Sequence, residues 1–272
     1  MVDVSIIITT RNEESNIQEC LESINLQTYP KEKVEGIIVD NNSTDRSKKI
    51  ALLYTDKIFN LGPERSAQRN FGIKQASGRY ILFLDSDMRL SPNVVAECVQ
   101  TCEKYKFIAL YIPERIVGKG FWIKIRDFER SFYNATVIDC VRFVRRDKFL
   151  EAGGFDETLT GPEDWDFDRR IKEKGSVGLI VSALYHNEGE FNLQRYLSKK
   201  RHYSGWMDKY RRKWGKADAV VKKQLGLWYR YFGVFLERGK WLKVISHPIL
   251  SLAMCYLRVL VGINYLRYGK CS

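Results

Sequence analysis

"GRYILFLDSDMRL", residues Gly78 to Leu90, is the stretch on which the fold turns. The apolar run Tyr80-Ile81-Leu82-Phe83-Leu84 ends abruptly in Asp85-Ser86-Asp87. A short apolar run bounded by turn residues reads as a strand buried on both faces, the kind a parallel sheet contains. Two carboxylates one residue apart at its mouth raise each other's pKa unless a cation or donors compensate. The stretch therefore predicts a buried strand whose carboxyl end faces something positively charged.

The flanking segments alternate in the same way. Val4–Thr9 is an apolar, β-branched run, and Glu13–Gln27 carries Ile17, Cys20, Leu21 and Ile24 at helical spacing. Gly36–Asp40 is a second strand, followed by a helix for which Ser43 or Thr44 is the candidate cap, and Lys57–Asn60 is a third strand. Glu64–Ala76 reads as a helix, and Ser91-Pro92 opens another that runs to about Lys104. Beyond it come a strand over Phe107–Ile112 and an aromatic amphipathic segment over Gly118–Asn134. A strand over Val137–Arg145, a helix over Pro162–Lys174 and a last strand over Val177–Tyr185, ending at His186, complete the series. Such alternation predicts an α/β fold with a mainly parallel, Rossmann-like sheet and helices on both faces. Ligands of these sheets bind at the carboxyl ends of strands. Three polar clusters fall there: Thr10-Arg11-Asn12 with Glu13, Asp40-Asn41-Asn42, and Asp85-Ser86-Asp87.

Composition narrows the classes. With 272 residues, 44% hydrophobic and 13% aromatic, the chain can build a large core. The opening "MVDVSIIITT" reads as a strand and not as a signal peptide. The six cysteines (20, 98, 102, 140, 255 and 271) are scattered without a C-x-x-C pair, which suits a reducing cytoplasm and argues against structural zinc. Cys98 and Cys102 would share a helix face as core residues. No G-x-G-x-x-G follows the first strand, and there is no G-x-x-x-x-G-K-[ST], so neither a nicotinamide dehydrogenase nor a P-loop enzyme is expected. The net charge of +12 is uneven: residues 195–272 carry +15, leaving the rest at −3. That asymmetry points to an anionic partner, such as a membrane surface, a nucleic acid or a phosphorylated substrate.

The clusters suggest chemistry. Asp85 and Asp87 suit a hard divalent cation with oxygen ligands, Mn²⁺ or Mg²⁺, which would also hold a diphosphate. His186, at the same predicted edge, is a candidate further ligand. "GPEDWDF" places Glu163, Asp164, Asp166 and Asp168 near a helix N-terminus. The helix dipole favours carboxylates there, and one of them can serve as a general base.

Together these pieces resemble the inverting family 2 glycosyltransferases of the GT-A fold, over roughly Val2 to Glu188. The matching residues are "SIIITTRNEE", "IIVDNNSTD", "ERSAQRNFGIKQASGRYILFLDSD" and "GGFDETLTGPEDWDFDRRIKEKG", in the family's order. The resemblance implies that Thr10, Asn12 and Asp40 bind the nucleotide base and ribose, with their neighbours Glu13 and Asn42. It implies that Arg69 lies near the diphosphate. Asp85, with Ser86, would face the sugar nucleotide and contribute to the metal site, and Asp87 would hold the metal directly. His186 would complete the metal site, as in some members. Asp164, beside Glu163, would deprotonate the acceptor hydroxyl. Processive members carry Q-x-x-R-W after the base; Gln194-Arg195-Tyr196 does not fit, so transfer of a single sugar from a UDP or GDP donor is expected. A sugar-phosphate nucleotidylyltransferase is the alternative enzyme, although "TTRNEESN" lacks the glycine-rich loop it would need. A non-catalytic module binding an anionic membrane or nucleic acid leaves Asp85, Asp87 and Asp164 unexplained, so no nucleic acid partner is expected.

A division follows: residues 1–190 form the catalytic part and residues 191–272 a basic helical extension. In the extension Tyr196, Tyr203 and Tyr210 recur every seven residues, with Trp206 and Trp214 near the same face. This fits a helix packed on the fold equally with one lying on anionic lipid. Ile249–Leu266 is an apolar stretch of 18 residues with Arg258 at its middle. A span needs ~20 apolar residues, and a central Arg costs ~3 kcal/mol, so a packed or interfacial helix is expected. A location at the cytoplasmic face of the membrane would suit a glycan or polyprenyl-phosphate-linked acceptor. Lys199, Lys200, Arg201 and Tyr203 are the residues expected to hold its phosphate.

Overall fold

The computed structural model describes residues 1–268; Cys271 lies outside them. The stretch that opens the sequence argument forms β4 (Tyr80–Asp85), one of seven strands in a central sheet. It lies against β1 (Val4–Thr10), which pairs on its other side with β2 (Val34–Asp40), and β3 (Ile58–Asn60) forms the edge. All four run parallel, and their register brings Thr10 opposite Asp40 and Thr9 opposite Asp85. Beyond β4 the sheet continues through β8 (Phe143–Arg145), β6 (Ala109–Tyr111) and β9 (Val177–Leu179), with β8 antiparallel to both neighbours.

The run is apolar on both faces because both are covered. Ile6, Ile8, Leu82 and Leu84 pack with α1 (Ile17–Asn25) and α4 (Val94–Tyr105), through residues such as Cys20, Cys98 and Cys102. Ile7, Val39, Ile81 and Phe83 pack with α3 (Arg65–Lys74) and α7 (Glu163–Lys172), through Ile73 and Phe167. Cys98 and Cys102 are thus buried core residues of one helix face, and no disulfide is formed among the described cysteines.

Several boundaries differ from the sequence reading. After Asp87 the chain re-enters extended structure as β5 (Met88–Leu90), which joins β10 (Leu184–Glu190) and β7 (Glu114–Lys119) in a second, three-stranded sheet. The single last strand expected over Val177–Tyr185 is therefore two, β9 in the first sheet and β10 in the second. His186 sits within β10, opposite Met88, and not at a strand end. Of Val137–Arg145 only β8 is strand; Val137 and Ile138 pack under the C-terminal helices instead. Ser91-Pro92 does not begin α4. Its first turn is satisfied from α1's end by Gln27, whose side chain accepts from Val95 N and donates to Ser91 O. Ser43 does not cap the next helix, α2 (Ser47–Ala51): its hydroxyl accepts from Asn12 N, and Asp45 accepts from Ser47 N.

A third core joins α5 (Phe121–Arg130) to the C-terminal helices. Between α5 and that region the short α6 (Arg146–Glu151) follows β8. Then come α8 (Leu193–Trp214), α9 (Ala219–Leu225), a π-helical turn at Tyr229–Gly233 running into α10 (Val234–Leu236), α11 (Trp241–Ser246) and α12 (Pro248–Tyr268). The aromatic repeat of α8 packs on the fold. Tyr210 is fully buried and donates to Gln224, and Trp214 donates to Asp166 under the Arg169 guanidinium. Arg258 turns inward, where Glu129 and the Tyr133 hydroxyl accept from it. Among the described residues no helix is long and apolar enough to cross a membrane.

Gly78 marks how tightly β4 enters the sheet. A Cβ there would lie 2.6 Å from the Ser5 backbone nitrogen and 2.7 Å from its hydroxyl, so β1 would have to shift. Gly78→Ala is expected to destabilise the chain by about 1–3 kcal/mol, read from the urea midpoint.

Candidate active site

The two acids of the opening stretch do not face each other's charge alone. The chain turns after Asp85, and each carboxylate meets its own cation. Asp85 Oδ1 accepts from Thr9 Oγ1 at 3.0 Å and from Arg69 Nη2 at 3.1 Å, while Arg65 Nη1 lies 3.5 Å from Oδ2. Burial alone would raise its pKa, but Arg69 and Arg65 override that and hold it well below the usual carboxylate range. Asp87 Oδ2 faces His186 Nε2 at 3.2 Å. The positive charge expected at the end of this strand is thus supplied beside Asp85 by two arginines, while Asp87 meets an imidazole.

Arg69 also reaches the start of α7, donating Nη1 to Asp164 Oδ1 at 2.8 Å. One buried guanidinium thus spans Asp85 and Asp164, which lie far apart in sequence. Asp164 keeps about a third of its side chain exposed (34%). Its neighbour Glu163 is buried, and Glu163 Oε2 finds no partner. Burial, then the charge of Asp164, pushes Glu163 up to about 7. The other two acids of the motif are structural. Asp166 is enclosed by Arg170, Lys213 and Trp214, and Asp168 accepts from Tyr111 and Val141 N.

At the nucleotide edge, Asp40 is fully buried. Its Oδ2 accepts from Ser43 N at 2.8 Å and pairs with Lys48, while Asp40 Oδ1 and the hydroxyl of Thr10 beside it are buried without a protein partner. Asn12, at φ 53°, accepts from Thr44 N at 2.8 Å and ties the loop after β1 to the loop after β2. Asn42, also at positive φ, accepts from Asn60. Glu13 accepts from Asn16, and its pKa is raised by burial. Ser86 is buried, with its N–H on Thr9 O.

The donor chemistry of Asp87 and His186 fits a divalent cation. Asp87 Oδ1 is buried with no protein partner, and its other oxygen meets His186. On the far side of the imidazole, Nδ1 lies 3.0 Å from Glu114 Oε1. Burial opposes ionisation of Glu114, but Arg130 and Arg142 keep it anionic. An anion only accepts, so the Nδ1 proton is fixed and Nε2 is aimed at the Asp87 side. Burial would lower His186, yet hydrogen bonds to Asp87 and Glu114 push it up to about 10. Among the described residues no cluster of three or more His, Cys, Asp or Glu could hold a metal, and Asp85 is turned to the arginines. A pair of protein ligands completed by a diphosphate is the usual arrangement for such ions.

Sequence reasoning missed Arg65 and Glu114. Arg65 carried a signal, standing four residues before Arg69 on the same helix face. Glu114 carried none, because β7 is too short to show a period. Of the proposed acceptor residues, Tyr203 reaches this region, accepting from Arg65 Nη2 at 3.3 Å and packing on Gly161. Lys199, Lys200 and Arg201 are exposed on α8, and Lys200 Nζ lies 5.5 Å from the Tyr196 ring, on the side of α5.

Comparison with known proteins places this geometry. AglE, a glycosyltransferase of Haloferax volcanii, is 45% identical over 91 residues, 31% of this chain and 30% of AglE. The poly(ribitol-phosphate) β-N-acetylglucosaminyltransferase TarS of Staphylococcus aureus is 32% identical over 131 residues, 44% of this chain and 22% of TarS. The chain therefore spans less than a third of the length of these relatives. A crystal structure of TarS residues 1–349 with UDP-GlcNAc superposes with a TM-score of 0.61 at 20% identity, covering 93% of this chain and 79% of that one. A mannosyltransferase from Pyrobaculum calidifontis, solved with GDP-Man and Mn²⁺, also gives 0.61, at 16% identity, covering 97% and 86%. The fold is GT-A. The family model described as glycosyl transferase family 2 matches residues 5–152, more than half of the chain, and the chain belongs to that family.

Proposed function

We propose that the chain transfers one sugar from a UDP- or GDP-linked donor to an acceptor hydroxyl, with inversion. The observation that carries this reading is the Arg69 bridge, which sets the candidate base Asp164 beside Asp85. Asp164, partly exposed and held by one oxygen, takes the acceptor proton as the acceptor oxygen attacks the anomeric carbon in line. Glu163, partly protonated near neutral pH because burial and Asp164 raise its pKa to about 7, limits the negative charge beside that base. Thr10 and Asp40, whose unpartnered oxygens face the same edge, bind the base and ribose, with Asn12, Glu13 and Asn42 shaping the loops around them. Arg65, Arg69, Asp85 and Ser86 line the diphosphate and sugar side. Asp87 and His186 would hold Mn²⁺ or Mg²⁺, with Asp85 toward the donor. The ion would neutralise charge growing on the departing diphosphate. The bound ligands of the TarS and mannosyltransferase structures support the donor class and the ion.

The acceptor is a phosphate-bearing glycan or polyprenyl-phosphate-linked sugar, met by the +15 charge of residues 195–272 at the cytoplasmic face of the membrane. Tyr203, with Lys199, Lys200 and Arg201 further along α8, receives it. Residues 1–190 carry the chemistry, and residues 191–272 serve acceptor and membrane. The name of TarS, a poly(ribitol-phosphate) transferase, supports a phosphate-rich acceptor.

Asp164→Asn should lower kcat by about 10²–10⁴-fold while nucleotide-sugar binding persists in a thermal-shift assay; unchanged turnover would sink the mechanism. Chelation should abolish transfer and Mn²⁺ restore it. His186→Ala should weaken Mn²⁺ binding about 10-fold or more, titrated by electron paramagnetic resonance in the presence of nucleoside diphosphate.

Glu163 gives a stability signature. Its folded pKa of about 7 exceeds the usual value of 4.5, so the folded state holds the proton more tightly than the unfolded state. Stability from this group is complete below pH ~4.5 and is lost as pH rises toward ~7. Glu163→Gln should therefore gain about 1–3 kcal/mol over wild type at pH 8 and little at pH 4.5, measured by urea unfolding.

A further inference from the structure

The last helix is apolar on two faces, and only one is covered. Met254 and Leu257 of α12 are buried against α5 and the C-terminal core, and the one charge in the middle of the helix, Arg258, turns into that same side. The opposite face carries Ile249, Leu252, Tyr256, Val259 and Ile263, each 50–73% exposed and spaced by alternating threes and fours. It is an uncharged stripe running most of the length of the helix.

The stripe continues onto neighbouring elements. The ring of Tyr256 lies 6.3 Å from that of Trp122 at the start of α5, and Phe121 beside it is exposed. On α11, which packs against α12, Trp241, Leu242 and Ile245 are exposed. Monomeric proteins rarely leave contiguous apolar surface beyond a few hundred Å² without a partner for it. Exposed Lys124 and Lys243 stand on α5 and α11, with exposed Lys119 at the end of β7 just before α5 and exposed Arg238 in the turn just before α11. Residues 219–268 hold eight Lys or Arg against one acid, Glu237.

We infer that this face, the outer stripe of α12 with the starts of α5 and α11, seats the protein on an anionic lipid bilayer. Rings and aliphatic side chains enter the headgroup boundary, and the cations meet anionic headgroups. A second copy of the chain would cover the stripe too, but it would bring two basic rims face to face, whereas an anionic bilayer complements them. No described helix is apolar enough to cross, so the mode is lying on the surface. The seat is also near the chemistry. α5 follows directly from β7, and β7 pairs with β10, where His186 aligns with Ile116. Its purpose rests on the proposed transfer to a membrane-bound acceptor, while lipid binding itself is measured without any transfer.

The test is sedimentation of the full chain with vesicles of phosphatidylcholine, with and without phosphatidylglycerol, at low and physiological salt. Wild type should sediment with the phosphatidylglycerol vesicles and far less with phosphatidylcholine alone. The double variant Leu252→Glu, Val259→Glu should bind them about 10-fold or more weakly while its thermal shift with nucleotide sugar is unchanged. Leu252→Ser, Val259→Ser is the milder pair should the glutamates unfold α12, with the same result expected. Failure to sediment with phosphatidylglycerol vesicles overturns the inference, as does wild-type binding by a folded variant. A dimer in light scattering that the stripe substitutions split also overturns it and gives the face to a second copy. If vesicles bind but no sugar transfer is found with any donor, the proposed function falls and the surface stands.

Discussion

The structure hangs on one guanidinium. Arg69 is buried, and a buried cation is tolerated only where anions pair with it. It takes one from β4, Asp85, and one from the first turn of α7, Asp164, and its face lies 5.2 Å from the Phe155 ring. Removing either acid would leave an under-compensated charge in the core, and removing Arg69 would leave Asp164 without its guanidinium and Asp85 with Arg65 alone. Such a triad adds little net stability but specifies geometry: the start of α7, far away in sequence, can meet the consecutive elements α3 and β4 around it in only one arrangement. The end of the strand and the candidate base are therefore held relative to each other before any substrate arrives, which is the preorganisation that acid–base chemistry requires.

A second chain of charges is built alongside the first. Asp87, His186, Glu114 and the pair Arg130 and Arg142 alternate in sign from the site into the second sheet. Each member fixes the next: the arginines keep Glu114 ionised, Glu114 orients the imidazole, and the imidazole presents Nε2 toward Asp87. The two acids one residue apart thus have different jobs because they belong to different networks. Asp85 serves the arginine side and Asp87 the histidine side. Their adjacency in sequence reflects a chain that leaves one sheet at Asp85 and enters the other at Met88.

This also explains what could be read without coordinates. The long strands declared themselves, because burial on both faces makes a run apolar, and the polar residues just past β1, β2 and β4 fell on one edge through the parallel register. The place of Asp164 in the first turn of a helix was legible from its motif. The second sheet was not, since β5 is three residues and β7 alternates over too short a run to show a period. Gln27, which caps another helix across the core, leaves no local trace. The faces of α12 were equally hidden: as sequence it is one apolar stretch interrupted by an arginine, and only the packing tells that Arg258 serves the inside.

The C-terminal helices are consequently bound to α5 and the second sheet by a shared core, although their charge sets them apart. Phe128 and Phe132, within and just after α5, pack with Phe235, Met254 and Leu257, so the position of α5 depends on α10 and α12. At its other end α5 continues from β7, which aligns β10 and hence His186. Arg126 of α5 also pairs with Glu188 of β10, two residues beyond that histidine. α12 also packs on α8, where Asn264 donates to Leu197 O, and α8 carries Tyr203, which accepts from Arg65. The C-terminal helices therefore bear on both networks of the site, through α5 and β10 on the histidine side and through Tyr203 of α8 on the arginine side.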